Sequence, residues 1–199
     1  FQWAIDRGYD AVVEMDADGS HQPEHLPAML AAAADADLVI GSRWVRGGAI
    51  ENWPLHRKAL SVGGNVYTKA LLGMRVHDAT ACYRVYCFSA LQEIGLADVA
   101  SQCYCCQVDL TWRAVRKGLT VVEVPITFVE REIGHSKMSR DIMTESLRRI
   151  TTCSSSPVVA SCSICAGVIL IFAPFQMSCG SSSPSRSRVS PSAKGRSRG

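Results

Sequence analysis

Short apolar runs alternate with longer amphipathic segments over residues 1–150. Apolar or β-branched runs bounded by glycine or polar residues predict strands at 11–15, 37–40, 83–87 and 119–128. Between them, apolar residues at helical spacing predict helices from 23 into the alanine run, over 56–72, 88–94 and 108–117, and from 139 or 140 to 150. Residues 43–54, which include Gly47, Gly48 and Pro54, predict a polar loop. Alternating strands and helices with short links predict an α/β fold, with a mostly parallel sheet flanked by helices.

The composition changes after residue 150. A polar run at 151–156 precedes 157–175, a stretch without charge that is barely long enough to cross a bilayer and is interrupted by Pro and Gly. The remainder is rich in Ser, Pro and Arg, which is typical of disorder. We therefore divide the chain into a folded domain over 1–150, a membrane-associated apolar segment over 151–176 and a disordered basic tail over 177–199. For 157–175, spanning, interfacial and disordered placements stay open.

The net charge of +3 comes from the tail. Residues 184–199 carry five basic side chains and no acidic one, so the rest of the chain has a net charge of about −2. We therefore expect no nucleic-acid partner for the folded domain. The nine cysteines do not show the spacing of a disulfide framework, and Cys162 and Cys165 have no partner pair at zinc-finger distance.

The clearest chemical signal is Asp16-Ala17-Asp18, directly after the first predicted strand. Ligands of α/β sheets bind beyond the carboxyl ends of strands, and two carboxylates there suit Mg²⁺ or Mn²⁺ together with substrate phosphates. The pattern therefore indicates chemistry on a nucleotide diphosphate. A solvated turn is the alternative, since Asp and Gly are common turn residues. An EF-hand is not indicated, because its later oxygen ligands are missing.

Several further motifs follow in order along the chain. They are Gly41 to Gly48, Arg57, Asp78-Ala79-Thr80, Gln107-Val108-Asp109 and Glu130 to Met138. With the aspartate loop, this order resembles the family-2 glycosyltransferases that make polyprenyl-phosphate mannose, the dolichol-phosphate mannose synthases, and above all their actinobacterial type. The resemblance covers about residues 1–150. The opening of such proteins is missing here, so the resemblance implies a GT-A-like fold that lacks its first strands.

The resemblance also implies an activity. The enzyme transfers mannose from GDP-mannose to a polyprenyl or dolichyl phosphate with inversion, at the cytoplasmic face of the cell membrane, with Mg²⁺ or Mn²⁺. The metal loop of the family matches Asp16, Asp18 and Ser20. Its catalytic residues match Asp18, Arg43, Arg57 and Arg131, and its other substrate-binding residues match Asp16, Asp78, Asp109, Ser136 and Lys137.

Several of the candidate residues also have a simpler interpretation. Taken without the surrounding motifs, Arg43 and Arg57 are interpreted as ordinary surface residues. Arg131 lies between two glutamates that can pair with it. Asp109 suits a helix end, and His21 suits a hydrogen bond within its loop. For the whole chain, the alternatives are transfer of another sugar, such as glucose from a UDP donor, an inactive truncated remnant, or a membrane-tethered binding module. Because the first strands are missing, we expect the isolated chain to be inactive and poorly soluble.

Overall fold

The computed structural model describes residues 1–96, 104–130 and 168–172. The strands are β1 Ala11–Met15, β2 Leu38–Ser42, β3 Ala49–Glu51, β4 Arg84–Cys87, β5 Val121–Pro125, β6 Thr127–Val129 and β7 Val168–Phe172. The helices are α1 Gln2–Ile5, α2 Leu26–Ala32, α3 Leu55–Leu72, α4 Phe88–Ile94 and α5 Tyr104–Arg116, and a single 3-10 turn over Pro23–His25 leads into α2. The predicted α/β class is confirmed.

The main sheet has the strand order β5-β2-β4-β1-β7 and is mixed. Among the described strands of this sheet, only β2 and β5 pair in parallel, whereas β4 runs antiparallel to both of its neighbours, β1 and β2. The expectation of a mostly parallel sheet is therefore wrong, because most of the paired strands run antiparallel. The physical reason is that β1 and β2 point the same way, as their crossover through α2 requires, but β4 lies between them in the opposite direction.

A second, two-stranded sheet lies beside the first. The predicted strand at 119–128 divides at Ile126, which is buried and donates its N–H to the carbonyl of Ser42 (3.1 Å). Beyond this point β6 pairs in parallel with β3, which forms within a predicted polar loop. This pairing brings residues 127–130 beside residues 49–53.

Side chains of the main sheet alternate between two cores. Val12 and Tyr86 face one core, to which α4 and α5 contribute, whereas Val13 and Val85 face the other, which includes Met29 of α2. Strand residues alternate in this way because successive side chains point to opposite faces. Helices therefore cover both faces of the sheet.

The long helix α3 ends at Gly73, whose φ of 66° lies in the left-handed region that favours glycine. Its fully buried residues are polar, Asn65 and Thr68, and its apolar residues are largely exposed, with Leu55 83% and Val66 60% accessible. Among the helices that the structure describes, none has the length and hydrophobicity that a bilayer crossing requires.

Part of the predicted apolar segment belongs to the sheet. β7 pairs antiparallel with β1, with Leu170 opposite Val13. The rest of 151–176, the tail over 177–199 and the helix predicted to end at 150 lie outside the described residues. The division of the chain into three parts stays a prediction.

Candidate active site

The aspartates of the predicted cation site lie in the turn that follows β1. Asp16 comes directly after the strand, and Gly19 turns the chain with a φ of 78°. Ser20 donates hydrogen bonds from its backbone N–H (3.1 Å) and from its hydroxyl to Oδ1 of Asp18. Asp16, Asp18 and Ser20 therefore share one turn, in which both aspartates are partly exposed and the serine is buried.

His21 stabilises this turn through a hydrogen bond with its backbone. Its Nδ1 accepts a hydrogen bond from the backbone N–H of Asp16 (2.9 Å), so the neutral ring carries its proton on Nε2. Burial, assisted by the positive charge of Arg43, lowers the pKa of His21 to about 4. The ring is therefore neutral near pH 7, as expected for a residue that serves as a hydrogen-bond partner within its loop.

Arg43 and Asp78 form a two-pronged ion pair. Nε of Arg43 donates to Oδ2 of Asp78 and Nη2 donates to Oδ1, both at 2.7 Å, and the backbone N–H of Arg43 adds a third bond (3.0 Å). Asp78 is fully buried and also accepts from Asn65 of α3 (3.3 Å). Burial alone would raise the pKa of Asp78, but the hydrogen bonds and charge of Arg43 outweigh burial and lower that pKa.

Arg57 lies in the first turn of α3 and pairs with Glu130. Its Nη1 is 2.5 Å from Oε2 of Glu130, and both side chains are about one fifth exposed, at 21% and 22%. The backbone N–H of Glu130 donates to the carbonyl of Glu51 (3.2 Å), so the pairing of β3 with β6 places the carboxylate. The ion pair of Arg57 therefore lies nearer to solvent than that of Arg43.

An aromatic cluster connects the aspartate turn to the two arginines. The ring of His21 lies 5.3 Å from that of Phe128, and Phe128 lies 5.3 Å from Trp53. The guanidinium carbons of Arg57 and Arg43 lie 4.7 Å and 5.4 Å from the centre of the Trp53 ring. The aspartate turn and both arginines thus belong to one continuous set of contacts.

The predicted site also includes Asp109, Arg131, Ser136 and Lys137. Asp109 lies on α5, where its Oδ1 accepts from Nε of Arg113 one turn later (2.9 Å). Arg131, Ser136 and Lys137 lie outside the described residues. Their predicted roles in substrate binding and catalysis stay predictions.

Sequence reasoning missed a buried polar network beneath the aspartate turn. Glu14 of β1 lies opposite Arg84 of β4, and Oε1 of Glu14 accepts from Nε2 of Gln107 (2.5 Å). The Arg84 guanidinium is fully buried and donates to the carbonyls of Ala79 (2.7 Å) and Gln107 (3.0 Å). Burial raises the pKa of Glu14, and Arg84 opposes that increase. The sequence did contain a signal for this network. Each of two predicted strands carries one charged residue, and a buried charge needs a partner.

Sequence reasoning also missed Trp53 and Phe128, because both lie in segments that were assigned only as a loop and as part of a strand. An aromatic residue is usually part of a core, so neither residue type indicates a site by itself. Their part in the site depends on the pairing of β3 with β6, which joins positions far apart in the chain.

Comparisons with known proteins show what this chain is similar to. Residues 7–95 match Glycosyl transferase family 2. The chain is 53% identical over 151 residues to an undecaprenyl-phosphate mannosyltransferase of Micrococcus luteus, across 76% of this chain and 62% of that protein. It is also 53% identical over 151 residues to a polyprenol monophosphomannose synthase of Mycolicibacterium smegmatis, across 75% of this chain and 57% of that protein. The chain thus spans less than two thirds of the length of either relative, and the region that matches glycosyl transferase family 2 contains the aspartate turn, Arg43 and Arg57.

Proposed function

We propose that this protein transfers mannose from GDP-mannose to a polyprenyl or dolichyl phosphate, with inversion at the sugar. The observation that carries the proposal is the aromatic cluster, which joins a paired-carboxylate turn to two arginines. The names of the two relatives, a mannosyltransferase and a mannose synthase for lipid phosphates, support the same sugar and acceptor.

The aspartate turn fits a divalent cation. Asp16 and Asp18 are partly exposed and lie in one turn, and Ser20 supplies a third oxygen next to Asp18. Within the described parts of the chain no set of three or more His, Cys, Asp or Glu side chains could hold a metal ion. Two carboxylates together with the diphosphate of the donor are the kind of oxygen ligands that Mg²⁺ or Mn²⁺ takes. When bound, such an ion stabilises the negative charge that builds on the departing nucleotide.

The arginines fit the acceptor phosphate. A phosphate monoester is already anionic at neutral pH, so the nucleophile needs little help from a general base. This agrees with His21, which is buried and bonded to the backbone of the turn. Guanidinium groups bind phosphate oxygens in pairs and offset repulsion between two anionic substrates. We therefore assign Arg57, Arg43 and Arg131 to the acceptor phosphate.

Asp78 has a different role in this proposal from the one expected from the sequence. Its carboxylate is fully buried and holds both Nε and Nη2 of Arg43. We propose that Asp78 acts on the substrate only through Arg43, which it keeps in one orientation. The side chain of Arg43 is therefore already ordered before the substrate binds, so binding does not cost side-chain entropy at this residue.

The exposed apolar face of α3 fits a lipid acceptor. Leu55, Val62 and Val66 lie on one side of the helix, and Arg57 lies in its first turn. A helix that turns its polar residues inward and its apolar residues outward suits the surface of a membrane. We propose that α3 rests on the cytoplasmic face of the membrane through this apolar side.

The test is incorporation of labelled mannose from GDP-mannose into polyprenyl phosphate by the full-length protein, with Mg²⁺ or Mn²⁺ present. Asp18→Ala should abolish incorporation, and the exposed Asp35, which lies before β2, provides the matched control Asp35→Ala. Equal incorporation by Asp18→Ala and the unchanged protein would exclude the proposed role of the turn. Product formed from UDP-glucose alone would favour the other donor, and no product from either donor would favour an inactive remnant or a binding module.

A further inference from the structure

Both arginines of the described site lie against the same indole ring. The guanidinium carbon of Arg57 is 4.7 Å from the centre of the Trp53 ring, and that of Arg43 is 5.4 Å away. We propose that Trp53 is a positioning residue that holds the two guanidinium groups at the spacing needed to bind one phosphate. This inference rests on the proposed role of the arginines in binding the acceptor.

The surrounding structure fixes the position of the ring. Asn52 precedes Trp53 with a φ of 62°, a left-handed conformation that few residues other than glycine adopt and that Asn tolerates. Pro54 follows as the residue that precedes the first turn of α3. The edge of Phe128 meets Trp53 at an angle of 72°. The indole is therefore held by the backbone on both sides and by a second ring.

Each arginine is bound by a carboxylate in addition to its contact with the indole ring. Asp78 binds Nε and Nη2 of Arg43, and Glu130 binds Nη1 of Arg57. A carboxylate fixes the edge of a guanidinium plane, and an aromatic ring beside the same group limits its remaining freedom. Trp53 is the ring that the two arginines share, so its loss would change the position of one relative to the other.

A stability argument alone does not account for an indole at this position. Nε1 of Trp53 is buried and has no hydrogen-bond partner among the described residues. An unpaired buried N–H is unfavourable for folding, and phenylalanine would avoid that cost while keeping an aromatic wall. Tryptophan, however, attracts cations more strongly than the other aromatic side chains do. Tryptophan at this position thus improves the contact with the arginines at a cost to the stability of the fold.

Binding of geranyl phosphate to the purified full-length protein, measured by calorimetry, tests the inference. We expect Trp53→Leu to bind about tenfold more weakly, and Trp53→Phe, which keeps a ring, about two- to threefold more weakly. Trp112 provides a matched control, because Arg116 lies 4.8 Å from its ring on α5 and belongs to no proposed site. Trp112→Leu should bind geranyl phosphate as the unchanged protein does.

Unfolding in urea separates positioning from a merely structural role. Trp53→Phe should keep its urea midpoint while its affinity falls, whereas a structural residue would lose both together. Equal binding by Trp53→Leu and the unchanged protein would contradict the inference and leave the proposed function standing. A loss of affinity in Trp53→Phe as large as that in Trp53→Leu would also contradict the inference. If Trp53→Leu does not fold, unchanged binding by Trp53→Phe contradicts the inference. No binding by the unchanged protein would end both the inference and the proposed acceptor site.

Discussion

Single residues in this site are held by partners that lie far away in the chain. Asp78 is 35 residues from Arg43, and the three hydrogen bonds between them join the end of β2 to the segment before β4. The sequence identified both residues as candidates, but it assigned them to separate roles. Nothing in local spacing indicates that two such residues pair, because the pairing depends on how the strands are ordered.

The first prediction concerns this ion pair. Asp78→Asn removes the negative charge and leaves the guanidinium of Arg43 partly buried without its main partner. Loss of one member of a buried ion pair typically costs about 3–5 kcal/mol. We therefore expect the free energy of unfolding in urea to fall by about this amount. Asp35→Asn, at an exposed position, should leave it unchanged, and equal stability of the two variants would show that the pair contributes nothing.

The second prediction concerns pH. The pKa of His21 is lowered to about 4 in the folded protein, mainly by burial and then by Arg43, while the carboxylates of Asp18 and Asp78 oppose the change. The ordinary pKa of histidine is about 6.5, so between these values the unfolded chain binds a proton that the folded chain does not. The free energy of unfolding should therefore fall as the pH is lowered from about 6.5 to about 4.

His21→Asn isolates this effect, since asparagine does not titrate and its amide oxygen can accept the N–H of Asp16. Urea unfolding of both proteins across this pH range provides the measurement. The slope of the free energy against pH should be smaller in the variant. Parallel slopes would mean that His21 does not supply the difference in bound protons.

At the scale of elements, hydrophobic periodicity located the strands and helices well. β1 is found at its predicted residues and α4 spans 88–94 as predicted, because local apolar spacing determines whether a segment is helical or extended. The same spacing does not specify a partner. β3 was therefore predicted as part of a loop, and the direction of β4 was not predicted. Both features depend on contacts between distant segments.

The third prediction concerns α3. Val62 and Val66 are exposed on the same side of the helix, so the double substitution Val62→Ser and Val66→Ser removes apolar surface without disturbing the core. Burying a valine side chain is worth about 1.5–3 kcal/mol at most. We expect the variant to bind phospholipid vesicles more weakly in a flotation assay, because less apolar surface can enter the interface.

Trp3 offers the control for that experiment, since it is half exposed but lies on α1 rather than on α3. Trp3→Ser should bind vesicles as the unchanged protein does. Equal losses in both proteins would mean that vesicle binding follows exposed apolar surface in general and not the face of α3. Circular dichroism of each variant checks that the helices remain formed.

At the scale of the whole molecule, the site lies where the two sheets meet. β1 supplies the aspartate turn, β2 leads to Arg43, and the pairing of β3 with β6 brings Trp53 beside Phe128. The order of motifs along the chain predicted that Asp16, Asp18 and Arg43 serve one site. Their physical connection through aromatic rings was not predictable, because it arises only once distant strands have paired.

The fourth prediction concerns the edge of the main sheet. β7 pairs with β1 along its whole length, from Ala11 opposite Phe172 to Met15 opposite Val168. A chain that ends at residue 167 lacks this strand, whereas one that ends at residue 172 keeps it. An unpaired strand edge promotes association with other chains. We therefore expect the shorter chain to aggregate at lower protein concentration, as measured by light scattering. The two chains differ by five uncharged residues, so their net charge is the same and does not account for the difference. Equal aggregation would mean that β7 does not protect the edge of β1.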